Sequence, residues 1–449
     1  MKSRLLVIIS QLFFNKYGNQ SFYETLKGYS RNFELILITA YDKSDDFYYK
    51  PYEIEVNFDI EIPNMFFYNI YKRFCKLFRK IKSKNKKKNK TEKDLKISKN
   101  LVNQHINFLT KLSFEYKNRV LIKKVREVIN RKDLKKYDTV YIVAYEIGGV
   151  LPALFAKDML DKSGINNVVI AKFQGTQLGQ CIDETTGNMN KECLKLFPLD
   201  LAVFEKIREF DGVIMTDDGT KGDMILKKFG VDNILFITNG IPEEFIRNLE
   251  IANNGQIPNN EGILNLYTIS RLIYWKRVDL AVKIASFLKN NIGYTGFRLN
   301  IYGKCSEDNE YCVYLRKIVK DENLNEYVIF HGGVPYPKVP SIHLSNDVLL
   351  SLYNITNVTN PVFEALYVGN HVITLKDPST FRVFGGNECV EFFERSSDES
   401  QIIENIANFI VKNAFKLKAK NKLCSKKIIT WEDRISREIE FILSTCKKD

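Results

Sequence analysis

Histidine is scarce in this chain, with four among 449 residues, and none of the eight cysteines is spaced as CxxC. A zinc centre needs His and Cys at ligand spacing, so the composition argues against one. The scattered cysteines are expected to be buried or free thiols of a reducing, cytoplasmic compartment. No run approaches the ~18–20 apolar residues of a membrane span. Leu5–Ile9 follows Lys2 and Arg4 in the manner of a leader, but the run is short. The stretch Asn15–Asn19 offers no small-residue cleavage site, so a first strand is expected there instead. Glycine is thin in the turn after that strand. Gly18 stands alone without a GxGxxG pattern, which weakens a dinucleotide reading and leaves Gly18 as either a close-approach glycine or a plain turn. No DxD triplet is present, the pattern that places a cation beside a diphosphate.

Positive charge is abundant but local. The formal net charge is +13, and residues 71–100 hold 14 Lys/Arg against Glu92 and Asp94. The rest of the chain is therefore nearly neutral. Within this segment Ile70, Phe74, Leu77, Phe78 and Ile81 fall on one helical stripe flanked by Lys and Arg. Two readings stand side by side. One is an interfacial helix on an anionic membrane; the other is a helix packed on its own domain and followed by a solvated lysine loop. Nucleic acid is not an expected partner, because no RNA- or DNA-binding pattern accompanies the lysines.

Along the chain, β-branched runs alternate with helical stretches, and the runs end in polar, glycine-bearing loops. Examples are Leu5–Ser10, Leu35–Ala40, Thr139–Ala144, Val168–Phe173, Gly212–Thr216 and Asn233–Thr238. After the Asn/Gly-rich stretch 248–262 the alternation restarts with Leu264–Ile269. This is the pattern of two doubly wound α/β units, whose ligands sit at the carboxyl ends of strands. The expected division is 1–247, carrying the basic insertion of about 71–100, then 262–425, then a final segment 426–449 with a helix from Trp431.

Two stretches of the second unit stand out. Ser351–Thr374 runs from an apolar strand through an Asn/Thr loop into a helix opened by Pro361 and closed by Gly369, with Glu364 near its start. About 80 residues earlier, Ser270-Arg271-Leu272 and Lys276-Arg277 also follow an apolar run. A forked guanidinium and a point-charge ammonium suit phosphate oxygens. Each residue also has an ordinary reading: Arg271 and Lys276 as surface charges, Glu364 as a helix-start carboxylate, and Glu146 and His331 as structural groups.

Taken together, these segments resemble family 4 glycosyltransferases. The matching residues are Ser270-Arg271-Leu272 with Lys276-Arg277, the strand Leu299–Gly303, Phe330-His331-Gly332, and Asn360-Pro361-Val362-Phe363-Glu364-Ala365-Leu366 with Gly369. Asn239-Gly240-Ile241 and Trp431 complete the set. The resemblance implies the GT-B fold, two Rossmann-like doubly wound domains facing each other across a cleft. It implies a retaining, metal-independent hexosyltransferase-type enzyme without a cofactor. That enzyme would move a sugar from a UDP- or GDP-sugar to a glycan or lipid-linked acceptor in surface polysaccharide or glycoconjugate synthesis. By the same resemblance Arg271 and Lys276 meet the diphosphate, and Gly18, Ser270, Gly303, His331, Asn360 and Glu364 belong to the donor site. Glu146 takes the place of a catalytic histidine. One departure matters: the first glutamate of the family's EX7E pair is replaced by Thr356. That keeps a non-catalytic scaffold as an alternative reading, and a nucleotide-sugar epimerase, which shares the implied fold, is a second. The expected location is cytoplasmic, peripheral on the inner face of a membrane.

Overall fold

The computed structural model describes residues 4–12, 20–40, 59–61, 92–184, 186–254, 262–306 and 308–445, with the side chains of 60–61 and 92–110 excepted. Gly18 and the basic stripe of 70–82 therefore lie outside the described residues; of the segment 71–100, only the backbone of 92–100 is described.

Among the described residues thirteen strands, β1 to β13 in chain order, form two parallel sheets. The first holds β1 (Leu5–Ser10), β2 (Glu34–Thr39), β3 (Asp59–Glu61), β4 (Val140–Tyr145), β5 (Asn167–Phe173), β6 (Gly212–Thr216) and β7 (Ile234–Ile237), in the order β3-β2-β1-β4-β5-β6-β7. The second holds β8 (Leu264–Ile269), β9 (Phe297–Tyr302), β10 (Val328–Gly332), β11 (Val348–Ser351), β12 (His371–Leu375) and β13 (Val390–Phe393), in the order β10-β9-β8-β11-β12-β13. Every residue of β1, β4, β5 and β6 is buried, which is why these strands read as continuous apolar runs rather than as alternations. Helices cover both faces of each sheet, and the cores form on either side.

Strand order reverses between β1 and β4 in the first sheet and between β8 and β11 in the second. At such switch points the adjoining loops leave in opposite directions, and a crevice opens at the carboxyl ends. The first crevice is bordered by Glu146, directly after β4. The second is bordered by Ser270 and Arg271, directly after β8, and by the loop after β11.

The two units are joined by chain passages that lie together. Ile241 bridges Thr430, and a Cβ on Gly240 would come within 2.3 Å of the Thr430 backbone. The second passage leads into the helix Trp431–Ser444, which opens with a reciprocal cap between Thr430 and Asp433. That helix packs on Gln20–Ser30 so closely that a Cβ on Gly28 would meet Ile435 at 2.6 Å. Its buried face carries Glu438, which binds Lys172, Arg434 and Tyr29 together, all fully shielded from solvent. Arg434 reaches on to Asn239 Oδ1 at 2.6 Å and the Thr238 carbonyl at 3.1 Å, in the passage between the units.

The structure corrects the sequence reading in several places. The strand expected over Thr139–Ala144 is Val140–Tyr145, so Tyr145 belongs to β4, and the helix before it spans Glu92–Arg131. Before β6 the chain forms the helix Pro198–Phe204, opened by Pro198, and a single tighter turn at Ile207–Glu209. The six described cysteines are not scattered thiols; Cys75 and Cys446 lie outside the described residues. Cys181–Cys193, Cys305–Cys312 and Cys389–Cys424 are paired, with Cα separations of 5.3, 5.6 and 5.5 Å. These distances suit disulfides, and the pairs are brought together by folding over sequence gaps that no short motif marks. Cysteine usage therefore gives no argument for a reducing compartment. No described helix is long and apolar enough to cross a membrane.

Candidate functional site

A cavity of about 740 Å³ opens at the carboxyl end of the second sheet. Ser270 and Arg271 border it after β8, and Gly303 and Lys304 after β9. Gly303 has a steric reason: a Cβ there would lie 2.2 Å from the Ser270 carbonyl, so only glycine lets these two strand ends converge. Asn309 anchors the far wall by donating to the Leu272 carbonyl at 3.1 Å while capping the helix Glu310–Asp321. Tyr336 closes another side. The volume falls in the range of small-molecule and cofactor sites.

Arg271 is exposed and, among the described residues, has no ion-pair partner. Lys276 is half-buried and also lacks a carboxylate. Its Nζ lies 3.9 Å from the Trp275 ring centroid and 3.7 Å from that of Tyr353. Burial lowers its pKa to about 7, and the nearby Arg271 charge adds to that shift. The neighbouring Arg277 is different in kind. It adopts a left-handed conformation (φ 49°) and is neutralised by Asp279 and Glu399. A phosphate would therefore find, among the described residues, Arg271 and Lys304 uncommitted on the cavity wall and Lys276 uncommitted beside it.

Glu364 lies on the helix Asn360–Val368 and is 4% exposed. It accepts a 3.1 Å hydrogen bond from Tyr336 and lies 3.5 Å from His343 Nε2. His343 in turn meets the Tyr267 hydroxyl at 2.6 Å, and burial lowers its pKa. Glu364 thus belongs to a buried polar chain that reaches the cavity through Tyr336. Gly369 ends the helix at φ 92°, as its place in the sequence leads one to expect.

Other expected donor residues sit at the margin. His331 stacks on Tyr302 with ring centroids 4.4 Å apart and contacts Asn300 Oδ1 at 2.8 Å, so it buttresses the Tyr302 that lines the cavity rather than lining it itself. Asn360 faces the first unit, accepting from Asn239 at 3.1 Å and reaching Gln20 at 3.5 Å.

Across the cleft, Glu146 follows β4 with φ 60° and ψ 175°, a region that is strained for a side-chain-bearing residue. Its Oε1 accepts from the Gln174 amide at 2.7 Å. Burial raises its pKa to about 7 against that hydrogen bond, and the Asp218 charge raises it further. Asp218 is itself pushed up to about 6 by burial, although Thr220 donates to it twice. Asp217 accepts from both terminal guanidinium nitrogens, Nη1 and Nη2, of Arg382 in the second unit. Thr356, in the loop after β11, donates to the Asp218 carbonyl at 2.8 Å.

Sequence reasoning missed Lys304, Asn309, Tyr336, Asp218 and the Trp275–Tyr353 rings. The first two continue a glycine-ended strand, which is the available signal for them. The others act through contacts between residues distant in sequence.

With this geometry in place, comparisons with known proteins become informative. Residues 251–424 match the family model for glycosyl transferases group 1. No curated protein matches the chain by sequence. Among solved structures, Anabaena HepE in complex with UDP aligns over 98% of this chain and 100% of its own, with TM-score 0.60 and 12% identity. A glycosyltransferase from Rickettsia africae aligns over 100% of both chains, with TM-score 0.61 and 10% identity. Sucrose-phosphate synthase from Thermosynechococcus elongatus covers 98% and 99%, with TM-score 0.59 and 11% identity. The fold is GT-B. At these identities the likeness concerns architecture, and the GT-B cleft is the space between the two switch points described above.

Proposed function

We propose that the protein is a retaining glycosyltransferase that binds a UDP- or GDP-sugar in the cavity of the second unit. It passes the sugar to an acceptor held against the first unit. The observation that carries this reading is the pair of uncommitted cations, Arg271 and Lys276, at the switch point beside a cavity of about 740 Å³. The family match over residues 251–424 and the UDP held by the similar HepE structure support it.

In this reading Ser270, Gly303 and Lys304 line the diphosphate path, and Glu364 receives ribose hydroxyls in place of the Tyr336 hydroxyl. The bond from the anomeric carbon to the diphosphate oxygen breaks and its electron pair leaves with the diphosphate. Arg271 and Lys276 then meet more charge than in the bound donor, which is the condition for lowering the barrier. The acceptor oxygen forms the new bond, and Glu146, with a pKa near neutrality, is the group suited to take its proton. His331 and Asn360 support the site from its margins. Neither step routes through a metal ion, so EDTA should leave activity intact.

The acceptor is a glycan or lipid-linked sugar, in the synthesis of a surface polysaccharide or glycoconjugate. The basic segment 71–100 would bring the cleft to an anionic inner membrane face, and flotation with anionic and neutral liposomes, with and without residues 72–96, tests that attachment. The transfer itself is tested by incubating the protein with UDP- and GDP-sugars and lipid or glycan acceptors, followed by mass analysis of products. Acceptor-dependent release of nucleotide with a hexose-sized mass gain is expected. Nucleotide binding without any transfer would favour the scaffold role instead.

A further inference from the structure

Lys276 is a cation without a carboxylate, and the structure shows what holds it. Its Nζ sits between Trp275 and Tyr353, whose rings meet edge to face with centroids 5.8 Å apart. The two aromatic residues come from different strand ends. Trp275 follows β8 and Tyr353 follows β11, so the clamp closes over the switch point itself. A backbone hydrogen bond of 2.9 Å from Asn354 N to the Trp275 carbonyl ties the two loops, and Arg395 fixes the Tyr353 and Asn354 carbonyls at 3.0 and 2.9 Å.

We propose that Trp275 and Tyr353 are positioning residues that keep the Lys276 ammonium partly dry and unpaired, so that a nucleoside diphosphate binds there together with a proton. This deepens the donor-site reading above and rests on it.

The charges around Lys276 leave its counter-ion to the ligand. Arg271 is the nearby cation and disfavours a second positive charge. Arg277, next in sequence, is occupied by Asp279 and Glu399, and Glu399 is shared with Lys283. Those carboxylates are committed to other cations. Tyr353 stays neutral, because burial pushes its hydroxyl up to about 12. The rings favour a cation through their faces, whereas burial and Arg271 oppose it. In the free protein the balance puts Lys276 at about 7. A diphosphate between Arg271 and Lys276 reverses both opposing effects: it supplies the missing anion and neutralises the neighbour. Lys276 therefore takes up a proton on binding at pH above about 7.

The experiment is calorimetric titration of the full chain with UDP and with GDP at pH 7.5, 8.0 and 8.5, in two buffers of different ionisation enthalpy. The nucleotide phosphates are already ionised over this range. Uptake of about one proton per nucleotide at pH 8 is expected, with affinity falling about tenfold for each pH unit. Lys276→Arg, charged throughout, should bind without proton uptake and without the pH slope. Tyr353→Phe keeps the ring and should keep both, whereas Tyr353→Ser, which admits water to the ammonium, should flatten the slope and reduce the uptake. Trp275→Ser serves the same purpose if Tyr353→Ser does not fold. Nucleotide binding to the wild type with no uptake and a flat pH profile would overturn the proposal. An equal loss of affinity at every pH in Tyr353→Ser, with uptake unchanged, would also overturn it by reducing the clamp to packing. If neither nucleotide binds the wild type at all, the donor-site reading beneath it falls.

Discussion

Thr356 Oγ1 donates a 2.8 Å hydrogen bond to the carbonyl oxygen of Asp218, joining the second unit to the first across the mouth of the cleft. The contact is tight on both sides. A Cβ on Gly219 would lie 2.1 Å from Thr356 Oγ1, and Gly219 has φ 81°. Thr356, where the resemblance to family 4 led one to expect a glutamate, thus brings the two units together. It also presses on a loop that bears Asp217 and Asp218.

This geometry predicts that restoring the familiar residue fails. Thr356→Glu would place a longer, charged side chain against the Asp218 backbone and close to two carboxylates. Transfer activity should fall, and the cleft should open, seen as an increased radius of gyration in solution scattering. Thr356→Val loses the hydrogen bond to Asp218 and also the one that Thr356 Oγ1 accepts from the Val358 amide at 3.1 Å, at a combined cost of about 1–3 kcal/mol in stability. Higher activity in Thr356→Glu would show that the contact is incidental.

Glu146 combines strain with a carboxyl raised to about 7 from its ordinary 4.5. A folded-state pKa above the unfolded one means that the fold favours the protonated form. The associated stability is present below about pH 4.5 and lost as pH rises through about 7. Glu146→Gln cannot lose it. The variant should match the wild type at pH 4 and exceed it at pH 8 by up to about 3 kcal/mol, measured by denaturant unfolding. Transfer should drop by about 10²–10⁴-fold if the carboxylate takes the acceptor proton. A variant less stable than the wild type at pH 8 would contradict the assigned environment.

The Glu438 network supports the helix that crosses back to the first unit. Removing this carboxylate leaves Lys172 and Arg434 buried with no counter-charge, since both lie fully inside with it. Glu438→Ala should cost about 3–5 kcal/mol of unfolding free energy. Arg434 also holds Asn239, which donates to Asn360, so the loss should reach the passage between units. A change below about 1 kcal/mol would mean that water replaces the carboxylate there.

How much of this was readable from the sequence depends on how local each feature is. β1, β4, β5 and β6 are buried throughout, so their apolar runs announced strands. The turn chemistry of Pro361 and Gly369 placed a helix that the structure contains. Arg271 and Lys276 could be singled out because they follow a strand end at short range, and Glu364 because it lies in the helix that Pro361 opens. The Thr356–Asp218 contact joins residues 138 apart, and Tyr353 meets Lys276 only after β8 and β11 become neighbours. Pairing of Cys389 with Cys424 likewise spans 35 residues without a spacing signature. Such relationships are set by topology, which periodicity does not encode.

The most direct measurement is a calorimetric titration of the wild type and of Arg271→Ala/Lys276→Ala with UDP and GDP at pH 7. Each lost charge-assisted contact is worth about 1.5–3 kcal/mol, so the double variant should bind more than ~100-fold more weakly while keeping its circular dichroism and melting temperature. Equal affinity in the two proteins would show that the diphosphate does not sit at the switch point between β8 and β11.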